Sequence, residues 1–253
     1  MGIVLAALLT AFSGDLYQWI KGGVTPDGDP VLIDKVSVHI PPEPGAAFAG
    51  EFTATAEDLK VLNGDPAKFG EWVRRNKGVG FTDSQSISII LGGNRDHKVR
   101  VTGMSVVKDA CRAPLAGTLF YSPTAGSADS RELSFDLDAP GSTVTSGYFA
   151  KRHITLGRGE QETFNIMTPS KNQFCSFRIQ ATILDGSKSS TLTIDDGGQP
   201  FTATAGLEDV GEYQYLYVGG VASCPPGGWS RQPPKRFAAA GSSEEACLPA
   251  PTP

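Results

Sequence analysis

The clearest pattern in the chain is an alternation of apolar and polar positions from about residue 81 onward. In "NQFCSFRIQATILDG" every second residue from Cys175 to Ile183 is apolar or small, with Arg178 and Gln180 between them. A period of two is typical of a strand with one buried face. Roughly six to nine such segments, separated by turns about ten residues apart, match the signature of a sandwich. We therefore predict a mainly β fold, an antiparallel immunoglobulin-like β-sandwich.

The segment before this region has a different period. In "DPAKFGEWVRRNKG", Asp65 and Pro66 are typical of an N-cap and a first helical position. Phe69, Trp72 and Val73 then fall on one helical face. One short amphipathic helix is predicted here.

The N-terminal segment "MGIVLAALLTAFSGDLYQWIKGG" is uncharged from Ile3 to Phe12. This run is shorter than the roughly 20 apolar residues that cross a bilayer, and it fits a signal-peptide core of about 7 to 15. No Lys or Arg precedes it, however, and Tyr17, Trp19 and Lys21 resemble interfacial anchors. We expect an N-terminal apolar helix that is the distal part of a membrane anchor, with its earlier portion upstream of Met1. A signal peptide and a soluble helix are the alternatives.

These patterns divide the chain into four predicted parts. They are an apolar, anchor- or signal-like helix (1–25), a linker, strand and short helix that pack on the sandwich (26–80), the β-sandwich (81–205), and a Tyr-rich strand with a Pro/Gly-rich disulfide loop and flexible tail (206–253).

Composition supports many turns and excludes one class of ligand. Only 19% of residues are charged, and the 253 residues include 30 Gly and 18 Pro, which favours short strands over long helices. The net charge of −5 gives no basic footprint for nucleic acid.

The cysteines indicate the compartment. There are four, none in a C-x-x-C pair or at a zinc-ligand spacing from a histidine: Cys111, Cys175, Cys224 and Cys247. An even number suits two disulfides in an oxidising compartment. Cys224 and Cys247 bracket a Pro/Gly-rich loop that has little periodicity of its own, so we expect them to pair. That leaves Cys111 with Cys175, which lies on the core-facing side, as a disulfide between the sheets requires. Four buried thiols in a cytosolic protein are the alternative.

Local catalytic motifs are absent from the sequence, and no cofactor is predicted. The three histidines, His39, His97 and His153, each stand alone near strand ends or turns. A hydrolase whose site is assembled from distant residues remains an alternative, with His39 or His153 as its base. No metal is expected, although oxygen-rich turns contain three weak calcium candidates, Asp185, Asp195 and Asp196. Asp before Gly in a hairpin turn is a sufficient explanation for the last two.

Possible binding residues occur in three places. They are a predicted hairpin loop with Arg95, Asp96 and His97, a row of tyrosines on an extended segment with Tyr213, Tyr215 and Tyr217, and the indole of Trp229 in the Cys-bracketed loop. An exposed Trp in a constrained loop is a plausible anchor for a partner. The alternatives are that the tyrosines pack on a sheet edge or against the helix and that Trp229 folds back onto the sandwich.

The order of a short helix, "ACRAPLAGT", "FCSFRIQATI" and "TLTIDDGGQPFTAT" resembles a group of uncharacterised actinobacterial membrane-anchored proteins. In that group an extracytoplasmic β-sandwich follows a single membrane span. The resemblance implies a location and an architecture, but no activity. We expect an extracytoplasmic, membrane-tethered or secreted module of the bacterial cell envelope that binds or senses an unknown protein or envelope ligand without catalysis. The alternatives are a secreted hydrolase and a structural spacer of an envelope assembly.

Overall fold

The computed structural model describes residues 28–122, 133–219 and 228–240. The predicted apolar helix over residues 1–25 lies outside these ranges, and so do Cys224 and Cys247. The described part is mainly β, as predicted. Within it, no helix combines the length and the apolar character needed to cross a membrane.

The described chain contains strands and short α-helices, and each kind is numbered in chain order. The strands are β1 (Val31–His39), β2 (Gly45–Phe48), β3 (Val79–Gly80), β4 (Ser86–Gly93), β5 (Val99–Arg112), β6 (Thr118–Tyr121), β7 (Leu133–Ser134), β8 (Thr143–Thr145), β9 (Ile154–Leu156), β10 (Gln161–Met167), β11 (Phe174–Asp185), β12 (Lys188–Ile194), β13 (Phe201–Thr204), β14 (Tyr215–Val218) and β15 (Ser230–Gln232). The α-helices are α1 (Ala56–Gly64), α2 (Phe69–Arg75) and α3 (Pro234–Ala240).

The strands form three sheets. The first has the order β1-β4-β10-β7, and the second has the order β12-β11-β5-β8, with β13 also beside β11 and β9 also beside β5. The third has the order β15-β14-β6-β2-β3. Most pairs are antiparallel, but β10–β7 and β14–β6 are parallel, so the first and third sheets are mixed rather than wholly antiparallel.

The first two sheets share one hydrophobic core. Their inward-facing side chains form a single buried cluster that includes Ile89, Phe164, Val106, Phe177 and Ile179. The alternation predicted for β11 is confirmed, because all its odd-numbered residues from Cys175 to Ile183 are buried while Arg178 and Gln180 are partly exposed. Burial of alternate residues on facing sheets is the usual source of stability in such a pair of layers.

The third sheet carries a core on each face. Alternate residues of β2, β6 and β14 point to opposite sides, so that Phe120 and Tyr217 pack with α2, whereas Leu119 and Leu216 pack with Phe237 of α3. Parts of the chain far apart in sequence therefore meet in this sheet. A buried contact links the connection before β6 to the second sheet, since the backbone N–H of Leu115 donates to Thr204 Oγ1 at 3.1 Å.

The predicted helix is present as α2, after a 3₁₀ turn, and a further helix that the pattern does not predict, α1, precedes both. Asp65 is an N-cap, as predicted, but it caps a 3₁₀ turn at Pro66–Lys68 by accepting from Ala67 N–H. The face of Phe69, Trp72 and Val73 is buried in α2. The preceding α1 begins at a capping box formed by Thr55 and Asp58, which the usual Glu or Gln signature does not cover because Asp takes the third helical position.

The disulfide joins Cys111 to Cys175, as predicted. It does not connect the two sheets, however. Antiparallel pairing of β5 and β11 sets Cys175 directly opposite Cys111, and the two Cα atoms are 4.2 Å apart. The crosslink therefore joins neighbouring strands of the second sheet, since residues opposite each other in an antiparallel pair come within disulfide distance.

A backbone feature at the end of α2 leads to a first prediction. Lys77 has a φ of 61°, and Gly78 N–H donates to Val73 O at 2.8 Å, as in a Schellman ending. Because a side chain is disfavoured at this φ, replacing Lys77 with Gly should raise the free energy of unfolding by about 0.5 to 1 kcal/mol. Urea denaturation measures this, and Lys77→Ala, which keeps the Cβ, should give no such gain.

Candidate functional site

Three loops meet at one end of the shared core. The β4–β5 hairpin supplies Arg95, Asp96 and His97, the β9–β10 loop supplies Arg158, and the end of β11 supplies Asp185. We call these five residues the Asp185 cluster. The loops are joined directly, because Arg158 N–H donates to Arg95 O at 2.7 Å. Three of the predicted binding residues and one predicted calcium candidate are therefore brought together.

Asp185 is the centre of the cluster. Its Oδ2 accepts from Arg95 Nε at 3.1 Å, and its Oδ1 is hydrogen-bonded to His97 Nε2. The hydrogen bond with His97, together with that from Arg95, holds the pKa of the Asp185 carboxyl below its usual value. The side chains of Arg95 and Asp185 are only 17% and 22% exposed, whereas that of His97 is 60% exposed. The inner pair is thus covered while the imidazole faces solvent.

The guanidinium of Arg95 also organises the backbone around it. Its Nη1 donates to Asn94 O at 3.2 Å, and its Nη2 donates to the carbonyl of Gly28. Asn94 adds a hydrogen bond from its backbone N–H to Pro30 O at 3.0 Å. Arg95 therefore ties the hairpin to the first described residues of the chain.

The outer part of the cluster consists of exposed ion pairs. Arg158 Nε lies 2.5 Å from Asp96 Oδ1, and the Asp96 side chain is 85% exposed. The hydrogen bond and charge of Arg158 lower the pKa of Asp96. Beside this pair, Lys98 binds Glu160, and that contact lowers the pKa of Glu160. Exposed ion pairs of this kind contribute little to stability. Because the side chains are exposed, their charges are accessible to another molecule.

This arrangement is suited to binding by charge and hydrogen bonds. An imidazole held by a carboxylate is part of a catalytic triad, but a triad also needs a nucleophile that hydrogen-bonds to the imidazole. In the described chain the side-chain partner of His97 is Asp185. His39 lies at the exposed end of β1 and His153 is exposed before β9. In the described ranges, neither His39 nor His153 is hydrogen-bonded to a Ser, a Cys or a carboxylate. A hydrolase that used either histidine as its base would require such a hydrogen bond.

The three calcium candidates do not form one site. Asp185 precedes the 7-residue strand β12, whereas Asp195 and Asp196 follow it, so the two ends lie roughly 20 Å apart. Asp196 pairs with Arg74 at 2.6 Å, and Asp195 Oδ1 accepts from Gly198 N–H at 2.8 Å within its turn. Among residues 28–122, 133–219 and 228–240, no group of three or more His, Cys, Asp or Glu could hold a metal ion.

The predicted tyrosine row is not formed. Tyr213 precedes β14 and is buried on the α3 side of the third sheet, where burial raises the pKa of its phenol. Tyr217 is buried on the other side and stacks on Phe120, with ring centroids 4.5 Å apart. Tyr215 is partly exposed beneath the guanidinium of Arg231. The strand begins only at Tyr215, after a 3₁₀ turn that ends at Tyr213, and a period-two reading of the sequence does not reveal where the strand starts.

Trp229 is not an exposed anchor. It is 9% exposed, and its ring stacks on Phe69 with centroids 5.4 Å apart. The indole folds back as the alternative expectation stated, but onto the helical side of the third sheet. Gly219 makes room for it, because a Cβ at that position would lie 2.4 Å from the indole. The aromatic ring is therefore structural.

The sequence singled out neither Arg158 nor Glu160. Arg158 belongs to the cluster and Glu160 lies beside it because the β9–β10 loop folds against the β4–β5 hairpin, where Gly93 N–H donates to Glu160 O at 2.8 Å. The only local signal is the pair of glycines at 157 and 159, which marks a turn but carries no information about its neighbour.

A substitution at the centre of the cluster tests its internal charges. Asp185→Asn should lower the free energy of unfolding at pH 7 by about 1 kcal/mol, because Arg95 loses a charged partner. The folded-state pKa of Asp185 lies below its ordinary value, so this stabilisation is complete above about pH 4 and is lost as pH falls through the lowered pKa. The difference from wild type should therefore vanish in acid. Urea denaturation at pH 7 and in acid measures it.

The matched control for this experiment is Asp83→Asn, since Asp83 is an exposed carboxylate on the β3–β4 turn. It should change stability little at either pH. A loss at Asp185 that persists undiminished in acid would show that the carboxylate charge is not its cause.

Comparisons of the chain with protein-family models, with curated proteins and with solved structures found no match. The function is therefore inferred from the chemistry of the site.

Proposed function

We propose that the chain is an extracytoplasmic module, tethered to a membrane through residues 1–25, that binds a partner without catalysing a reaction. The Asp185 cluster is its recognition surface. One observation carries this proposal: exposed charges of both signs lie beside an inner Arg95–Asp185 pair, and hydrogen bonds hold that pair in place. Charged groups fixed before binding lose little conformational entropy when a partner arrives.

The compartment is supported by the Cys111–Cys175 disulfide. Disulfides persist mainly in oxidising, extracytoplasmic surroundings. The apolar run within residues 1–25 supports a tether on that side of the membrane. The two sheets that share one core support an immunoglobulin-like sandwich, a fold in which loops at the ends of the sheets commonly carry recognition.

The partner is an envelope protein or ligand that itself carries charges of both signs. On the outer part of the cluster, the cationic side chain of Arg158 lies beside the anionic one of Asp96, and the next pair along is Lys98 with Glu160. A surface of alternating charge favours a complementary mixed pattern and rejects a uniformly anionic polymer such as nucleic acid.

The test compares two single charge reversals. The full chain in detergent is immobilised and used to capture proteins from the envelope fraction of the cells that produce it. Arg158→Glu reverses an exposed charge of the cluster, and Lys60→Glu reverses an exposed charge on α1. A partner of this surface should bind Arg158→Glu at least about tenfold more weakly than wild type and Lys60→Glu normally.

Equal capture by the two variants would contradict the assignment of the surface. The alternative of a secreted hydrolase predicts instead that wild type cleaves ester or peptide substrates and that His39→Ala or His153→Ala abolishes the cleavage. The alternative of a structural spacer predicts no captured ligand that depends on either charge.

A further inference from the structure

The edge strands of the three sheets differ in how well they are protected from pairing with another chain. An open edge strand can pair with another chain, and proteins usually prevent this by shortening the strand or by placing bulges and charges in it. In the described part, five peripheral strands are only two or three residues long: β3, β7, β8, β9 and β15. The edge strand β1 has a bulge between Ile33 and Lys35, with Asp34 inside it. β13 is bridged at Thr204 by Phe81.

β12 has none of these protections. It runs for seven residues, "KSSTLTI", without proline and with a single charge, at its first residue Lys188. Its pairing with β11 is regular along the whole strand. Its other side pairs with no strand in the ranges that the structure describes. β12 is therefore a long, regular and nearly uncharged edge.

The turn before β12 determines which backbone groups are free. Gly186 and Ser187 form a two-residue hairpin loop between Asp185 and Lys188. The pair that closes such a loop is hydrogen-bonded, and hydrogen-bonded pairs then alternate along the strands. Backbone groups of Lys188 and every second residue after it therefore face β11. Those of Ser189, Thr191 and Thr193 face outward, away from the sheet.

We propose that β12 pairs antiparallel with β12 of a second copy of this chain, with the two Thr191 residues opposite each other. The outward-facing groups are centred on Thr191, so Ser189 of each copy lies opposite Thr193 of the other. All three outward residues of both strands then complete their hydrogen bonds about one two-fold axis, as in an isologous dimer. The second sheet continues through both copies.

Charge favours this antiparallel arrangement and this occupant. Lys188 begins β12, and the acidic residue Asp195 follows its end, next to Asp196, which is paired with Arg74. Antiparallel pairing places Lys188 of each copy beside the acidic end of the other, whereas parallel pairing would put like charges together. Between these ends the exposed side chains are small hydroxyls, and opposed threonines pair favourably across strands.

Sedimentation equilibrium of the full chain in a non-denaturing detergent tests the proposal. The contact is small, so wild type should pass from monomer to a mass twice as large over concentrations on the order of 10 to 100 µM. Thr191→Lys and Thr191→Glu each place like charges together at the two-fold axis, and each should remain monomeric. The matched control is Thr145→Lys, which adds the same charge at an exposed threonine of β8, at the opposite edge of the same sheet.

The decisive measurement is a mixture of Thr191→Lys with Thr191→Glu. Opposite charges then meet at the axis, so the mixture should regain the doubled mass that neither variant shows alone, a result that misfolding cannot produce. A monomeric wild type, a dimer that persists in both variants, or a mixture that stays monomeric would each overturn the proposal. Preferential pairing of wild-type β12 with a different protein, in place of the dimer, would overturn it as well.

Discussion

Removal of the Cys111–Cys175 crosslink should lower the free energy of unfolding by about 4 kcal/mol, the chain-entropy value for a sequence separation of 64 residues. The crosslink joins β5 to β11, the two central strands of the second sheet. Because Cys175 is completely buried, alanine is the better replacement for it, since a serine hydroxyl there would need a hydrogen-bond partner. Urea denaturation of the double variant Cys111→Ala/Cys175→Ala measures the loss.

The control for this prediction is a count of free thiols in unfolded wild-type protein made in an oxidising compartment. Neither Cys111 nor Cys175 should react. Four reactive thiols would contradict both the crosslink and the proposed compartment. An unchanged unfolding midpoint in the double variant would show that the crosslink does not constrain the unfolded chain in the expected way.

Trp229→Ala should lower the free energy of unfolding by about 3 to 4 kcal/mol, a typical cost for removing a large buried aromatic ring. The indole stacks on Phe69 and also contacts Phe120, with centroids 5.5 Å apart. Its backbone N–H donates to Asn63 Oδ1 at 2.8 Å, which the substitution leaves in place. The loss should therefore come from packing alone. Thermal and urea denaturation measure it.

Two further variants separate packing from recognition. Trp229→Phe keeps an aromatic ring over Phe69 and should lose about half as much stability. Arg231→Ala, two residues later and half exposed, should have little effect. If Trp229→Phe folds normally but loses the captured partner, Trp229 belongs to the recognition surface after all.

Alternation along β11 predicted its buried face correctly, because a half-buried strand records its environment in its own residues. The same pattern does not show which strand lies beside it. The alternation therefore predicts correctly that Cys175 lies on the core face, but it does not show that Cys111 lies opposite it on the neighbouring strand β5 rather than in the facing sheet. The third sheet is more difficult to predict from the sequence, since short, fully buried strands such as "GAAF" in β2 have no polar face that marks their period.

The candidate site was predictable only in part. The loop of Arg95 and His97 was identified because a turn between two strands exposes charged residues. Its central carboxylate, Asp185, lies 88 residues beyond His97 in the chain, and its turn suggested a calcium ligand when considered alone. Trp229 and Tyr213 illustrate the opposite difficulty. Their burial depends on cavities formed by distant residues, such as the space above Gly219, and local sequence does not describe such cavities.

The hydrogen bond from Arg95 to the carbonyl of Gly28 has a consequence for how the module would sit on a cell surface. If residues 1–25 are a membrane tether, as proposed, the three links from residue 25 to Gly28 reach at most about 10 Å. Loops held at Gly28 would then lie about one Debye length from the lipid headgroups. Anionic lipids would concentrate protons and cations around His97 and Asp96. Binding by this surface should accordingly respond to the lipid composition of the membrane, and a soluble form of the chain would lack that response.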